Sequence, residues 1–286
     1  MGKIFLGLHI PKCAGTTILS ELKRNFGDGV YQSTSLISNF RESKPDLLEA
    51  YPALQYQGYF GHHFCDELLK LLGENLFLFT FFRNPLERAL SHYKYINRMN
   101  SAVGLPEVNF DQFVKRIPSM TRFILERFPG LVGEEEADAP RWLKAASVLK
   151  KFDYVGDSDD LHTFQDVFHE EFGVRLDLSV EKNKAPAEEK EVSFSEKEAI
   201  YKSLEEDILL YQWVKELWRE SRFVSDRSDL LTFLNAPVNE NRLFNFHARS
   251  LISEFKANNE VAYLQRLSFS NKDLENNIAR RLSSAE

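Results

Sequence analysis

Two short segments of this chain carry residues suited to holding phosphate groups. Pro11-Lys12-Cys13-Ala14-Gly15-Thr16-Thr17 places a lysine, a glycine and two hydroxyl residues directly after one apolar run. Arg83-Asn84-Pro85-Leu86-Glu87-Arg88 places an arginine directly after another. The free N–H groups and dipole at a helix N-terminus attract an anion, and a guanidinium can grip a phosphate through two parallel hydrogen bonds. Two such cradles on one sheet suggest a doubly phosphorylated nucleotide.

The elements that would position them are legible. Lys3 to Ile10, KIFLGLHI, is a short β-rich run of the kind buried in a parallel sheet, and Ile18, Leu19, Leu22 and Phe26 then recur at helical spacing. Pro11 stops the strand, Gly15 permits a tight backbone close to a ligand, and Thr16 and Thr17 open the helix. The lysine precedes the glycine here, so the loop is not the Gly-x-x-x-x-Gly-Lys-[Ser/Thr] pattern of the P-loop kinases. Leu76 to Phe82, LFLFTFF, reads as a core strand too short to span a membrane. Asn84 is the expected N-cap with Pro85 at N1 and Glu87 at N3, a capping-box arrangement, and Leu86, Ala89, Leu90 and Tyr93 form an apolar helical face. Arg83 stands at the strand end where a nucleoside triphosphate kinase commonly wants a magnesium-organising aspartate, which points away from a Mg-ATP site. Ser91, about two turns into the helix, could reach the phosphate that Arg83 holds. Arg88 and Tyr95 share that side and are read as a solvated or packing face.

These residues resemble those of the PAPS-dependent sulfotransferases. Ile10 to Thr17 looks like their 5′-phosphosulfate loop, and Arg83-Asn84-Pro85-Leu86-Glu87-Arg88-Ala89-Leu90-Ser91 looks like their 3′-phosphate motif. The resemblance points to the carbohydrate branch related to the heparan sulfate 2-O-sulfotransferases. Weaker likenesses follow at Ser119 to Leu125, at Phe152 to Gly156, at Glu181-Lys182-Asn183-Lys184, and at Glu206-Asp207 with Tyr211, so that residues 1 to 220 are covered. The resemblance implies a P-loop-like α/β fold of three layers, with a central parallel sheet flanked by helices. It implies sulfuryl transfer from PAPS, leaving PAP, with no metal. Lys12, Cys13, Ala14, Gly15, Thr16 and Thr17 would then line the 5′-phosphate, with Lys12 neutralising the leaving oxygen. Arg83 and Ser91 would hold the 3′-phosphate, and Asn183 and Lys184 are further nucleotide contacts.

An acceptor hydroxyl needs a general base near neutrality, and histidine fits best. Seven histidines compete. His62 and His63 lie in Tyr59-Phe60-Gly61-His62-His63-Phe64, which resembles the Gly-His element that holds the base in that branch. The alignment selects His62, and the doubled histidine keeps His63 as a rival. His9, at the end of the first strand, could line the substrate site or be a satisfied core group. His92, His162, His169 and His247 are read as structural.

Composition bounds the rest. At 286 residues with 43% hydrophobic content the chain has ample material for one large α/β domain, alone or with a small appendage. A net charge of −7 argues against a general grip on nucleic acid, although Lys12, Arg83, Arg88, Arg98 and Arg122 could form a local basic cleft. Cys13 and Cys65 are too few for a disulfide framework or a zinc site, and Cys13 is treated as packing. The first strand begins within three residues of the start, so neither signal peptide nor membrane anchor is expected, and the setting is expected to be cytoplasmic and bacterial.

Residues 99 to 150 read as loops, Met99 to Asn109 and Gly130 to Pro140, with helices around Phe110 to Arg116 and Arg141 to Lys151. Arg122 is the candidate there for an acceptor or sulfate contact, against a surface salt bridge. Asp157 to Glu171 reads as a helix. Ser195 to Arg219 reads as one long helix that starts in a Ser195 to Glu198 capping box, with Ile200, Leu204, Ile208, Tyr211 and Val214 on its core face. Residues 221 to 286 form a helical C-terminal extension that could cap the acceptor cleft, make a homodimer contact or extend the core. The alternatives to a sulfotransferase are a P-loop small-molecule kinase and an inactive relative that binds nucleotide or glycan. The acceptor, expected to be a saccharide or glycoconjugate hydroxyl, is not legible.

Overall fold

A computed structural model describes residues 2–32, 56–62, 64–102, 104–179, 192–219 and 228–237. Strands buried on both faces need continuous apolar runs, and the two longest such runs lie side by side at the centre of a sheet. These are β1 (Ile4–Leu8) and β4 (Leu76–Phe82), paired in parallel with Leu6 opposite Leu78. With β2 (Val30–Gln32), β3 (Gly58–Gly61) and β5 (Tyr154–Asp157) they form a five-stranded, all-parallel sheet of order β2-β3-β1-β4-β5. After β1 the chain builds outward to β2 and returns to β3, then crosses to β4 on the other side. The order therefore reverses beside β1, the kind of place where open α/β sheets hold their ligands, at the carboxyl ends of the strands.

Side chains alternate across the sheet, so Phe77, Phe79 and Phe81 share one face with Phe5. There they meet α1 (Gly15–Phe26) through Phe26 and α7 (Leu161–Phe172) through Phe164, Phe168 and Phe172, with ring centroids 4.8–6.4 Å apart. Gly7 keeps this layer closed, since an added Cβ would lie 2.4 Å from both Phe60 and Phe79. The opposite face is also buried. Leu6, Leu78 and Tyr59 belong to one apolar core with Leu68 and Leu69 of α2 (Asp66–Leu72), Ile124 of α5 (Met120–Arg127) and Val148 and Leu149 of α6 (Arg141–Leu149). The result is an α/β protein with helices flanking a parallel sheet.

Between β4 and α5 lie α3 (Pro85–Ala102) and the short α4 (Phe110–Val114). The helix α3 runs through Met99, where a loop was expected, because Asn97 and Asn100 fold the following segment back: Asn97 Oδ1 accepts from Val108 N (2.8 Å) and Asn100 Nδ2 donates to the Pro106 carbonyl (2.9 Å). The expected long helix from Ser195 is two helices, α8 (Phe194–Ser203) and α9 (Glu205–Arg219). Its capping box is Ser193 with Glu196, two residues earlier than expected. Ser203 Oγ bonds the Ala199 and Ile200 carbonyls at the break, and Leu204 turns inward to pack with Ala89 and Ile200. Of residues 221 to 286, α10 (Ser228–Leu234) is described. Its Leu230 and Leu234 join the main core, and Lys70 of α2 lies over the Phe233 ring and donates to the Pro237 carbonyl (3.0 Å). Among the described residues no helix is long and apolar enough to cross a membrane.

Candidate active site

Because the strands are parallel, β1, β3, β4 and β5 deliver residues 9–14, 61–62, 83–84 and 157–160 to one edge of the sheet. The loop after β1 is strained. Lys12 (φ 72°) and Ala14 (φ 55°) both occupy the left-handed region, and Ala14 caps α1 without a side-chain hydrogen bond. Such conformations cost about 1–3 kcal/mol each and persist where the surroundings hold them. Gly15 has a specific reason to be glycine: a Cβ there would lie 1.7 Å from Nε2 of His9. Thus its missing side chain admits an imidazole from the same chain.

Lys12 reaches to α3, where its Nζ lies 4.2 Å from the centroid of Tyr95. Burial, then repulsion from Arg98 and Arg83, lowers its pKa to about 8. Three cations thus converge on the edge between β1 and α3. Glu87, Ser91, Tyr95 and Arg98 recur at helical spacing, so the half-buried Ser91 occupies the stripe that Tyr95 turns toward Lys12. Asn84 caps α3 as expected, its Oδ1 accepting from Leu86 N (3.0 Å) and Glu87 N (3.4 Å). The Glu87 carboxylate, expected to close a capping box, pairs instead with Arg83 Nε at 3.3 Å. Arg88 takes the packing alternative of the solvated or packing face expected for it. It is 1% exposed, faces Asp207 at 3.7 Å and donates to the Pro118 carbonyl, so it is a buried strut and not part of a basic cleft.

His62 stands just past β3. Its Nδ1 lies 2.5 Å from the carbonyl oxygen of His9; a carbonyl only accepts, so Nδ1 carries a proton, and in the neutral form of the ring the lone pair is on Nε2. The rings of His9 and His62 stack at 4.2 Å, and His9 also stacks on Phe60 at 5.4 Å. Burial, with His62 and Lys12 adding to it, holds the His9 pKa well below the ordinary value, so His9 is neutral. His9 is packed between the first turn of α1 and the end of β3, where its ring serves the site's frame.

Other candidates are placed elsewhere. Cys13 is buried and its thiol is pushed up to about 12 by burial, which keeps it unreactive at neutral pH. The Arg122 side chain is 72% exposed and paired with Glu126, the surface salt bridge that competed with an acceptor contact. His92, on α3, is held down at about 4 by burial and by Arg88 and Lys12, while His162 and His169 are exposed on α7. His63, Asn183, Lys184 and His247 lie outside the described residues.

Two contributors had no sequence assignment. Arg127, 8% exposed, donates from Nε to the His62 carbonyl (2.6 Å), and its guanidinium lies 3.3 Å from the centroid of Phe123, whose ring meets His62 edge-on at 6.4 Å. An arginine four residues after a phenylalanine, with Ile124 and Phe128 beside it, is the signal that could have found it. Asp157, at the end of β5, accepts from Tyr211 Oη (2.7 Å) and Lys215 Nζ (2.9 Å), which explains why Tyr211 faces inward.

Fold and site together define an α/β protein with a flanked parallel sheet, three cations and an oriented imidazole at the carboxyl ends of its strands. No protein-family model matches the sequence, and a comparison with curated proteins finds no match.

Proposed function

We propose that this protein is a PAPS-dependent sulfotransferase of P-loop-like fold, moving a sulfuryl group to an acceptor hydroxyl, with saccharides the leading acceptor class, and releasing PAP. The observation that carries the reading is the meeting of Lys12 and Arg83: one follows β1, the other follows the neighbouring β4, and the two charges are near enough at the sheet edge to oppose one another. Cations that repel one another at a sheet edge are suited to a ligand with separated phosphates. The strained turn at Lys12 to Ala14 and the start of α1 would hold the 5′-phosphate, and Arg83 and Ser91 the 3′-phosphate. PAPS would supply the activated sulfuryl group.

The chain's own residues have defined work. The acceptor oxygen forms its bond to sulfur as the bond from sulfur to the phosphate oxygen breaks. The proton of the hydroxyl passes to Nε2 of His62, the nitrogen that the His9 carbonyl leaves unprotonated. Lys12 neutralises the departing phosphate oxygen. A kinase reading would look for a magnesium-organising acid at the strand ends; of the aspartates that follow β5, Asp157 is engaged by Tyr211 and Lys215, Asp160 caps α7 through Thr163, and Asp159 lies within reach of the Arg83 charge.

The test is calorimetric binding of PAP against ADP and AMP without metal, in wild type and Arg83→Ala. A preference for PAP of about tenfold, worth about 1.4 kcal/mol, that disappears in the mutant is expected. Equal binding of PAP and ADP would sink the reading. In an acceptor panel with PAPS, His62→Gln should lower turnover by about 10²–10⁴-fold.

A further inference from the structure

We propose that His9 is a positioning residue that ties the aim of the His62 imidazole to the conformation of the Lys12–Thr17 loop. The inference rests on the reading of His62 as the base. Three contacts make the link. The His9 ring occupies the space that a Cβ on Gly15 would fill, 1.7 Å from Nε2, so the first turn of α1 sits directly on the imidazole. The other side of the link is the parallel stack on His62 at 4.2 Å and 24°. The His9 backbone closes it, its N donating to the Gly61 carbonyl (2.8 Å) and its carbonyl accepting from His62 Nδ1.

Rings in direct contact on two sides transmit displacement from one neighbour to the other. A loop that tightens around an anion must carry Gly15 and the His9 ring with it, and His62 rides on that ring while its Nδ1–H is held by the same residue. The neutral state of His9 suits the role, since a second imidazolium at 4.2 Å would oppose protonation of the base. His9 thus makes the readiness of the base depend on occupancy of the nucleotide loop, and it needs no contact with the acceptor.

The experiment follows the ring signals of His62 by NMR, assigned by their loss in His62→Gln, in the free protein and at saturating PAP. The wild-type signals should move on saturation, the shift should fall by at least half in His9→Ala, and His9→Phe, which keeps a stacked ring, should retain it. Gly15→Ala should displace the His62 signals with no nucleotide present. A response of wild-type size in His9→Ala, equal loss in His9→Phe and His9→Ala, or unmoved His62 signals in Gly15→Ala would each overturn the proposal. Failure of PAP to bind wild type would instead strike at the nucleotide reading, and the Gly15→Ala arm would still decide the coupling.

Discussion

The loops after β1 and β4 leave neighbouring strands at the same edge, yet they are built on opposite terms. The first turns through two left-handed residues, Lys12 and Ala14, lacks a side-chain cap on its helix and holds a lysine whose charge the surroundings disfavour. The second is locally satisfied: Asn84 caps α3, Glu87 neutralises Arg83, and buried Arg88 ties the helix to Asp207. Strain and unmatched charge are concentrated where a ligand could relieve them, while the neighbouring loop serves as a fixed reference. The comparison predicts that perturbing the first loop changes binding and stability in opposite directions, and that removing the buried anchor behind the second mostly costs stability.

The largest effect is expected from the anchor of the second loop. Asp207 faces Arg88 and also accepts from Ser119 Oγ (2.7 Å), Met120 N (2.8 Å) and Thr121 N (2.9 Å), so it caps α5 as well. Asp207→Ala would leave a buried guanidinium without its counter-charge and should lower stability to urea by about 3–5 kcal/mol. A loss below about 1 kcal/mol would mean that α3 is not anchored this way, and the contrast between the loops would fail.

The next effect is on the first loop and comes from pH. The Lys12 pKa lies near 8, below its ordinary 10.5. Between those values the unfolded chain binds more protons than the folded one, so Lys12 makes stability rise with pH. PAP would favour the protonated lysine, so its affinity should be level below about pH 8 as far as Lys12 is concerned. Above that it should fall by up to about tenfold per pH unit, because binding must recapture the proton. Calorimetry in buffers of different ionisation enthalpy would detect the proton taken up. Affinity independent of pH between 7 and 10 would remove Lys12 from the phosphate site.

A smaller change tests the strain itself. Lys12→Gly removes a disfavoured charge and places at φ 72° the residue that adopts it most easily. Against this it gives up the contact with Tyr95 and adds chain entropy, so the net gain in stability should be about 1 kcal/mol, read as a rise of a few degrees in Tm. PAP affinity should drop in the same variant. A fall in both would show that Lys12 is part of the loop's support.

How far each feature could be read from sequence follows from the range of the forces that make it. Strands β1 and β4 were legible because a strand covered on both faces must be apolar throughout, and the Asn84 cap because it closes within three residues. The apolar period runs unbroken from α8 into α9 through Ile200, Leu204 and Ile208, so nothing local marks the break that tertiary packing of Leu204 imposes. Ser193 and Ser195 are each followed by a glutamate three residues on, and pattern alone does not choose between them. Arg88 depends on Asp207, and Arg127 on a carbonyl 65 residues away, so their burial could not be read locally. Lys12 to Thr17 was legible as a loop by its types, but the left-handed turn at a lysine was not, because intrinsic preference argues against it.

The smallest effect would sharpen the comparison most. Arg83 and Glu87 are 33% and 51% exposed, so their pair is worth only about 0.3–0.5 kcal/mol. In the proposed complex, a 3′-phosphate must take Arg83 from Glu87 or bind beside it, and in either case the carboxylate opposes the incoming charge. Glu87→Gln should leave stability within about 0.5 kcal/mol and tighten PAP about twofold, with ADP, which lacks that phosphate, unaffected. Equal tightening of PAP and ADP would make the effect one of overall charge. Weaker PAP binding would mean that Glu87 holds Arg83 in its binding posture, and the second loop would then be preorganised by the pair that here counts as a competitor.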